Sequence, residues 1–109
     1  MITATNSKRS PYYESIEFNV NTATTDYDVD ASQSTFLSVV GPAGVVGAHP
    51  SEVIIRTNAT ISVKFNATTN MAITVSAADS PLVWQGEVQN IFITNNSGST
   101  AAIKIITLP

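Results

Sequence analysis

Apolar and polar residues alternate through the last part of the chain, and this two-residue period limits the possible folds more than any other feature. Segment 91–94 places two isoleucines on one side and a phenylalanine and a threonine on the other. After a loop of small polar residues at 95–99, segment 101–105 repeats the pattern with Lys104 facing away from the apolar side. Side chains alternate in this way across a β-strand, so the pattern predicts a half-buried antiparallel pair joined by the polar loop.

Similar alternation recurs along the rest of the chain, with turn residues about every ten positions. Strands are predicted at 16–20, 25–29, 35–40, 53–56, 61–65, 71–75, 82–85, 91–94 and 101–105. The Asn58-Ala59 connection predicts a tight hairpin between two of them. Short, evenly spaced strands favour an all-β, single-domain antiparallel β-sandwich, jelly-roll-like, with an immunoglobulin-like sandwich as the alternative.

The N-terminal residues do not share this alternation. At 109 residues the chain is the size of one domain, and we divide it into an arm at 1–14 and a β-sandwich at 15–109. The arm is polar and carries the pairs Lys8-Arg9 and Tyr12-Tyr13. Aromatic and arginine side chains are enriched at interface cores, so these four residues are candidate subunit contacts. The alternative is a terminal tail with little role.

The composition restricts partners and location. Charged residues make up only 12% of the chain, whereas Ser, Thr and Asn number 12, 14 and 9, so the expected surface is neutral and rich in hydrogen-bonding groups. A net charge of −3 argues against nucleic-acid binding, which needs a basic surface. The absence of cysteine excludes disulfides and thiolate metal sites. No signal peptide and no apolar run of membrane-spanning length occur, so we expect synthesis in the cytoplasm and no membrane partner.

The sequence contains few of the side-chain combinations that enzymatic catalysis needs. The one histidine, His49, lies in a loop at 41–50 that is rich in Gly and Pro. Without cysteine or a G-x-S-x-G motif, a nucleophilic triad would need His49 to meet a serine and a carboxylate by chance. The glycine spacing lacks the Gly-Lys-Ser/Thr ending of a phosphate-binding loop. We therefore expect no enzyme and no cofactor, and we take Gly44 and His49 as candidate contact-loop residues.

Three acidic residues at alternate positions are the strongest candidate for a metal site. On a strand, Asp26, Asp28 and Asp30 would share one face, about 6.6 Å apart at each step. Oxygen ligands in such a row suit Ca²⁺, but the positions that an EF-hand needs as Gly and Glu are Ala31 and Leu37. A solvated face of an edge strand is the favoured interpretation, and no metal site is predicted.

Two other features are candidates for binding. Trp84 lies on a short predicted strand, where it is either a core or rim residue or part of a sugar-stacking platform with tyrosines. Asn96 and Ser97 lie in the polar loop between the last two strands, as an inert tip or as a contact loop.

A resemblance to known proteins comes from the C-terminal residues. The segment IFITNNSGSTAAIKI at 91–105, preceded by Pro81-Leu82-Val83-Trp84 and a glycine, resembles the last strands of small β-sandwich virion proteins of tailed bacteriophages. Similar segments occur in head-decoration (cement) proteins and in some tail and neck components, and the resemblance covers about residues 71–107. It offers no family catalytic residues for transfer to this chain.

The resemblance implies a non-enzymatic virion protein that binds and stabilises a capsid lattice. The implied partners are the major capsid protein or other virion subunits, and the implied state is a homo-oligomer, with a trimer favoured. Deletion of residues 1–14 is then predicted to weaken assembly and to leave the fold intact. The alternatives are a tail or neck component, a carbohydrate-binding host-recognition module that uses Trp84, and a small hydrolase that uses His49.

Overall fold

The computed structural model describes residues 14–32 and 50–108, which form two antiparallel four-stranded sheets packed face to face. The elements are β1 (Glu14–Val20), β2 (Thr24–Asp28), α1 (Val29–Ser32), β3 (Glu52–Thr57), β4 (Ile61–Phe65), β5 (Ile73–Val75), β6 (Leu82–Gln85), β7 (Ile91–Asn95) and β8 (Ala101–Leu108). The strand predicted at 35–40 lies outside the described residues, as does the loop that follows it except for Pro50.

The strand order identifies a jelly roll. Sheet A has the order β1-β8-β3-β6, and sheet B has the order β2-β7-β4-β5. The strands pair in nested fashion, β1 with β8, β2 with β7, β3 with β6 and β4 with β5. Such nesting is one long antiparallel ribbon rolled into two sheets, which confirms the predicted jelly-roll sandwich. It also decides against the immunoglobulin-like alternative, in which several consecutive strands are neighbours; among the eight described strands only β4 and β5 are.

Two predicted pairings are wrong. The strands on either side of Asn58-Ala59 do not form a hairpin, because β3 lies in sheet A and β4 in sheet B. The Thr57 hydroxyl donates to the Ala59 carbonyl oxygen at 2.7 Å and accepts from the Ala59 N–H at 3.2 Å, which holds the bend between the sheets. The last two strands are separated in the same way, since β7 pairs with β2 and β4 whereas β8 pairs with β1 and β3. Alternation predicted their buried faces correctly but carried no information about their partners.

The core lies between the two sheets and consists of the inward positions of the alternating strands. Its fully buried members are mostly β-branched, which suits a pleated surface: Val20, Val29, Val53, Ile55, Ile61, Val63, Val88, Ile91, Ile93, Ile103 and Ile105. Burial of one such side chain contributes about 1.5–3 kcal/mol. The members that lie on strands fix which face of β1, β3, β4, β7 and β8 is inside, so the outward residues of these strands are available for contacts.

The acidic strand ends earlier than predicted. β2 stops at Asp28, whose Oδ1 accepts from the Ala31 N–H at 3.0 Å and so caps the single turn of α1. The strand is also irregular, because Asp26 has a positive φ of 50° and the register shifts between Thr24 and Tyr27. Asp30 therefore lies in the helical turn, and the predicted row of three carboxylates on one strand face is wrong.

Candidate functional site

An apolar cleft lies at the edge of the sandwich where β5 and β6 face each other. Trp84 points inward from β6, because it lies opposite the buried Val53 in the sheet. Its indole stacks on the Phe65 ring with centroids 4.4 Å apart and an interplanar angle of 14°. We call this space the β5–β6 cleft; it has a volume of about 370 Å³ and is lined by Phe65, Asn66, Asn70, Met71, Ile73 and Trp84.

Met71 lies at the mouth of this cleft. It was predicted to belong to a strand, but β5 begins only at Ile73 and the Met71 side chain is 88% exposed. The preceding turn is fixed by Asn70, whose Nδ2 donates to the Phe65 carbonyl oxygen at 2.6 Å and whose N–H donates to the Ala67 carbonyl oxygen at 3.1 Å. A large apolar side chain is therefore presented to solvent by a hydrogen-bonded turn.

Amide side chains hold the other rim of the cleft. The Asn66 backbone has a positive φ of 72°, and its Oδ1 accepts from the Gln89 N–H at 2.6 Å. Its Nδ2 donates to the Glu87 carbonyl oxygen at 3.1 Å. One asparagine thus ties the start of the β4–β5 turn to the β6–β7 connection, so the rim is fixed on both sides of the apolar floor.

The polar end of Trp84 is incompletely satisfied. Its Nε1–H is buried and has no hydrogen-bond partner within residues 14–32 and 50–108. Gly86 passes close to it with a φ of +145°, and a Cβ at that position would lie 3.4 Å from Nε1. A buried donor without an acceptor costs about 1–3 kcal/mol, so this edge of the sandwich is less well satisfied than the core.

A polar groove lies on the outer face of sheet A. One row across β1, β8 and β3 contains Glu17, Lys104 and Arg56. These three residues line the groove, which has a volume of about 710 Å³. Lys104 Nζ is 3.7 Å from a Glu17 carboxylate oxygen. Arg56 lies directly opposite Lys104, an unfavourable pairing of like charges. Ser80 Oγ accepts from the Thr57 N–H at 3.1 Å and fixes the β5–β6 connection beside this groove.

The β7–β8 loop carries the predicted contact residues Asn96 and Ser97, and both are exposed. The loop is shaped by the buried Asn95, whose Nδ2 donates to the carbonyl oxygens of Val20 at 2.9 Å and Ser99 at 2.8 Å. Its Oδ1 accepts from the Ser97 N–H at 3.0 Å. The loop therefore has a defined shape, and its role as a contact stays a prediction.

Other predicted site residues lie outside the described ranges. These are Lys8, Arg9, Tyr12, Tyr13, Gly44 and His49. The predictions that rest on them, an interface arm, a contact loop and the alternative hydrolase, stay predictions.

The acidic residues of β2 and α1 fall into two groups, since Asp26 pairs with Lys64 whereas Asp28 and Asp30 both bond to Asn90. Asp26 forms an ion pair with Lys64 at 3.1 Å. Asp28 Oδ1 accepts from Asn90 Nδ2 at 2.8 Å, and Asn90 Oδ1 in turn accepts from the Asp30 N–H at 3.1 Å. No group of three or more His, Cys, Asp or Glu side chains that could hold a metal occurs in the described part of the chain. Nor does any helix there have the length and apolar character to cross a membrane.

Sequence reasoning identified Trp84 but missed its surroundings. Strands were predicted at 61–65 and 71–75, which contain Phe65, Met71 and Ile73. Nothing in the local pattern says that β5 and β6 meet at one edge. The row of Glu17, Arg56 and Lys104 was missed for the same reason, since adjacency across strands depends on strand order.

Comparison with known proteins gives no further constraint on the site. No protein-family model, no curated protein and no solved structure matches this chain. Arguments about function therefore rest on the surfaces described above and on the resemblance of the C-terminal segment.

Proposed function

We propose that this chain is a non-enzymatic structural subunit of a tailed-bacteriophage particle, which binds and stabilises the capsid lattice as a decoration protein. The observation that carries the proposal is the asymmetry of the sandwich. An apolar cleft with an 88%-exposed methionine lies at the β5–β6 edge, and the thirteen residues before Glu14 join the domain at the opposite edge of sheet A. A protein with an attachment segment at one edge and an apolar acceptor at the other is suited to join neighbouring subunits.

The fold and the C-terminal segment give secondary support. Jelly rolls are common among viral capsid domains, although one fold serves many functions and the argument is an analogy. The resemblance to small virion proteins covers about residues 71–107, which include β5, β6, β7 and nearly all of β8, together with three of the six residues that line the cleft.

The use of polar side chains also favours a structural role. Asn66, Asn90 and Asn95 each make several hydrogen bonds that fix loops or connections. Fixed loops lower the entropy lost when a surface is ordered against a partner. Symmetry-related copies then make many weak contacts that are collectively strong, and binding to the assembled shell stabilises it by mass action.

The test uses the phage whose genome encodes this chain. Particles that lack the protein are prepared from a deletion mutant and mixed with the purified full-length chain. We expect saturable binding in co-sedimentation and a higher temperature of DNA release from the decorated particles. Cryo-electron microscopy should place the added density on the outer face of the shell at symmetric positions.

Three results would overturn this assignment. Absence of the chain from purified virions would exclude a virion protein of any kind. Density on the tail or neck would replace the capsid location with the alternative structural role. Particles that bind the chain yet release DNA at an unchanged temperature would remove the stabilising function.

Residues before the sandwich are tested in the same assay. The sequence predicted that deletion of 1–14 weakens assembly, and the structure moves the cut to residue 13, because Glu14 pairs with Thr107 in β1. A chain that begins at Glu14 should keep its unfolding transition and bind particles more weakly. Equal binding by both chains would remove the arm from the proposal.

A carbohydrate-binding module is the second candidate, and Trp84 is the residue that favours it. The indole is only partly buried, but Phe65 stacks on one of its faces. The geometry suits insertion of an apolar side chain better than stacking of a flat sugar face. A glycan array probed with the full-length chain tests the carbohydrate-binding module against the structural role. Specific binding of a glycan that also quenches Trp84 emission in solution would favour the module.

A further inference from the structure

The β5–β6 cleft has the properties of an acceptor for an aromatic side chain. Its floor is the stacked pair Phe65 and Trp84, and Ile73 and Met71 form one wall. Its volume of about 370 Å³ lies within the range of about 300–1,000 Å³ usual for binding pockets. Exposed apolar surface beside such a floor marks an interaction site more often than isolated surface residues do.

The segment that precedes β1 contains aromatic side chains that suit the apolar cleft. It contains Pro11, Tyr12 and Tyr13 immediately before Glu14. Tyrosine provides a large apolar ring with a polar tip and loses little conformational entropy when it is fixed. Sulfur–aromatic contact with Met71 and offset stacking on the floor would each add a favourable term.

The register of sheet A places the start of β1 far from the cleft of the same chain, which favours a cleft on a second copy. Glu14 lies opposite Thr107, Thr107 opposite Val53, and Val53 opposite Trp84, so β1 and β6 are three strand spacings apart. Three spacings are about 14 Å. Tyr13 is adjacent to Glu14 and Tyr12 is one residue further, so the backbone adds at most about 7 Å. The direct line from Glu14 to Trp84 is occupied by the buried residues Thr107 and Val53.

We infer that the β5–β6 cleft binds the segment Pro11-Tyr12-Tyr13 of a second copy of this chain. The inference rests on the proposed function, since it names the contact by which neighbouring subunits join. A donor at one edge and an acceptor at the other make a head-to-tail contact, which closes into a ring when the rotation between copies allows it. The phenol hydroxyl can donate to Asn70 Oδ1 at the rim, because the Nδ2 of that residue already holds the turn.

The sole tryptophan of the chain makes the contact directly measurable. The full-length protein is studied by sedimentation equilibrium and by Trp84 emission over a range of concentrations. We expect a concentration-dependent association accompanied by a shift of the emission maximum. A donor variant, Y12S/Y13S, and an acceptor variant, M71D, should each weaken association at least about tenfold.

A matched control lies one residue from Trp84 on the same strand. Val83 is 52% exposed on the outer face of β6, so V83D adds the same charge to β6 without entering the cleft. V83D should associate as the wild type does. Because Met71 and Val83 are both exposed, both variants should keep the cooperative unfolding transition of the wild type.

Mixing gives the decisive result. The donor variant keeps an intact cleft and the acceptor variant keeps an intact segment, so an equimolar mixture should form heterodimers although each variant alone is monomeric. The inference is overturned if the wild type is monomeric at every concentration, if M71D associates normally, if V83D weakens association as much as M71D, or if the mixture stays monomeric.

The outcome is separable from that of the proposed function. Particle binding by a wild-type chain that does not self-associate would exclude this contact and leave the decoration role in place. Association in solution without binding to particles would support this contact and exclude the decoration role.

Discussion

Each of the two edges of the sandwich is bridged by one aromatic pair, but the strands that supply the two rings differ between the edges. At the β1–β2 edge, Phe18 stacks on Tyr27 with ring centroids 5.6 Å apart. At the β5–β6 edge, Trp84 stacks on Phe65 at 4.4 Å, but Phe65 comes from β4, one strand further in. β5 has only three residues, and the cleft lies beside it: Phe65 is buried, whereas Trp84 stays partly exposed.

Hydrogen bonding accentuates the difference. Near the β1–β2 edge, Asn95 Nδ2 donates to the Val20 carbonyl oxygen at 2.9 Å, and the Asp26 N–H donates to Thr94 Oγ1 at 3.0 Å. At the β5–β6 edge the Trp84 Nε1–H has no partner among the described residues. One edge is thus satisfied internally, whereas the other combines exposed apolar surface with an unsatisfied donor, which is the pattern expected of a binding edge.

The largest expected effect comes from truncating the two aromatic pairs. Phe65 is only 4% exposed, so Phe65→Ala should lower the free energy of unfolding by about 3–5 kcal/mol. Phe18 is half-buried, and Phe18→Ala should cost less, about 2 kcal/mol. Urea denaturation of both full-length variants measures the difference, and equal losses would show that the two edges depend on their aromatic pairs to the same extent.

The buried amide near the β1–β2 edge should rank second. Asn95→Ala removes three hydrogen bonds and leaves buried groups unpaired, so we expect a loss of about 2–3 kcal/mol in the free energy of unfolding. The exposed neighbour is the control, since Asn96→Ala should change stability by no more than about 0.5 kcal/mol. A loss below about 1 kcal/mol for Asn95→Ala would contradict the claim that hydrogen bonds secure this edge.

Alanine variants of two glycines distinguish the effect of backbone strain from the effect of a side chain placed against Trp84. Gly86 and Gly98 have φ values of +145° and +89°, and only Gly86 lies within 4 Å of another residue in the direction of an added Cβ. Both alanine variants should lose about 1–3 kcal/mol through strain. Only Gly86→Ala should shift the emission of Trp84, and a shift of similar size in Gly98→Ala would show that the indole does not report local contact.

The smallest effects concern the two ion pairs. Asp26 and Lys64 are 3.1 Å apart with side chains 28% and 25% exposed, so Lys64→Met should cost about 0.5–1 kcal/mol. Lys104 and Glu17 are 3.7 Å apart and more exposed, and Lys104→Met should cost less than about 0.5 kcal/mol. Thermal unfolding at low and high salt tests this, since salt should reduce the first loss. A loss for Lys64→Met that does not depend on salt would mean that packing of its alkyl chain is responsible.

Local pattern predicted the strands well where one face is buried. The segments containing Ile61, Ile91 and Ile103 became β4, β7 and β8 with the predicted inward faces, because burial of alternate side chains needs no information beyond the segment itself. The pattern misled around Asp28, whose carboxylate caps a helical turn and ends the strand. Competition between a side chain and the β-ladder for backbone N–H groups is not visible in apolar periodicity.

The candidate site could be predicted only in part. Trp84 was singled out as a residue, and the strands at 61–65 and 71–75 that contribute Phe65 and Ile73 were predicted from alternation. The cleft they form depends on β5 being too short to cover Trp84 and on β6 facing β5 across the sandwich. Both facts concern non-adjacent segments, so no local window contains them.

By itself, the amino-acid sequence determined that this chain forms a sandwich of short strands, which residues point into its core, and that the surface is neutral and poor in charge. It did so because side-chain alternation and turn residues act locally. Only the tertiary structure decided the pairing, which put β7 and β8 in different sheets and set an apolar cleft opposite the start of β1. The physical reason is that a strand can bury its alternating apolar side chains equally well beside several different neighbours. The packing of the eight described strands together therefore decides which neighbours it has.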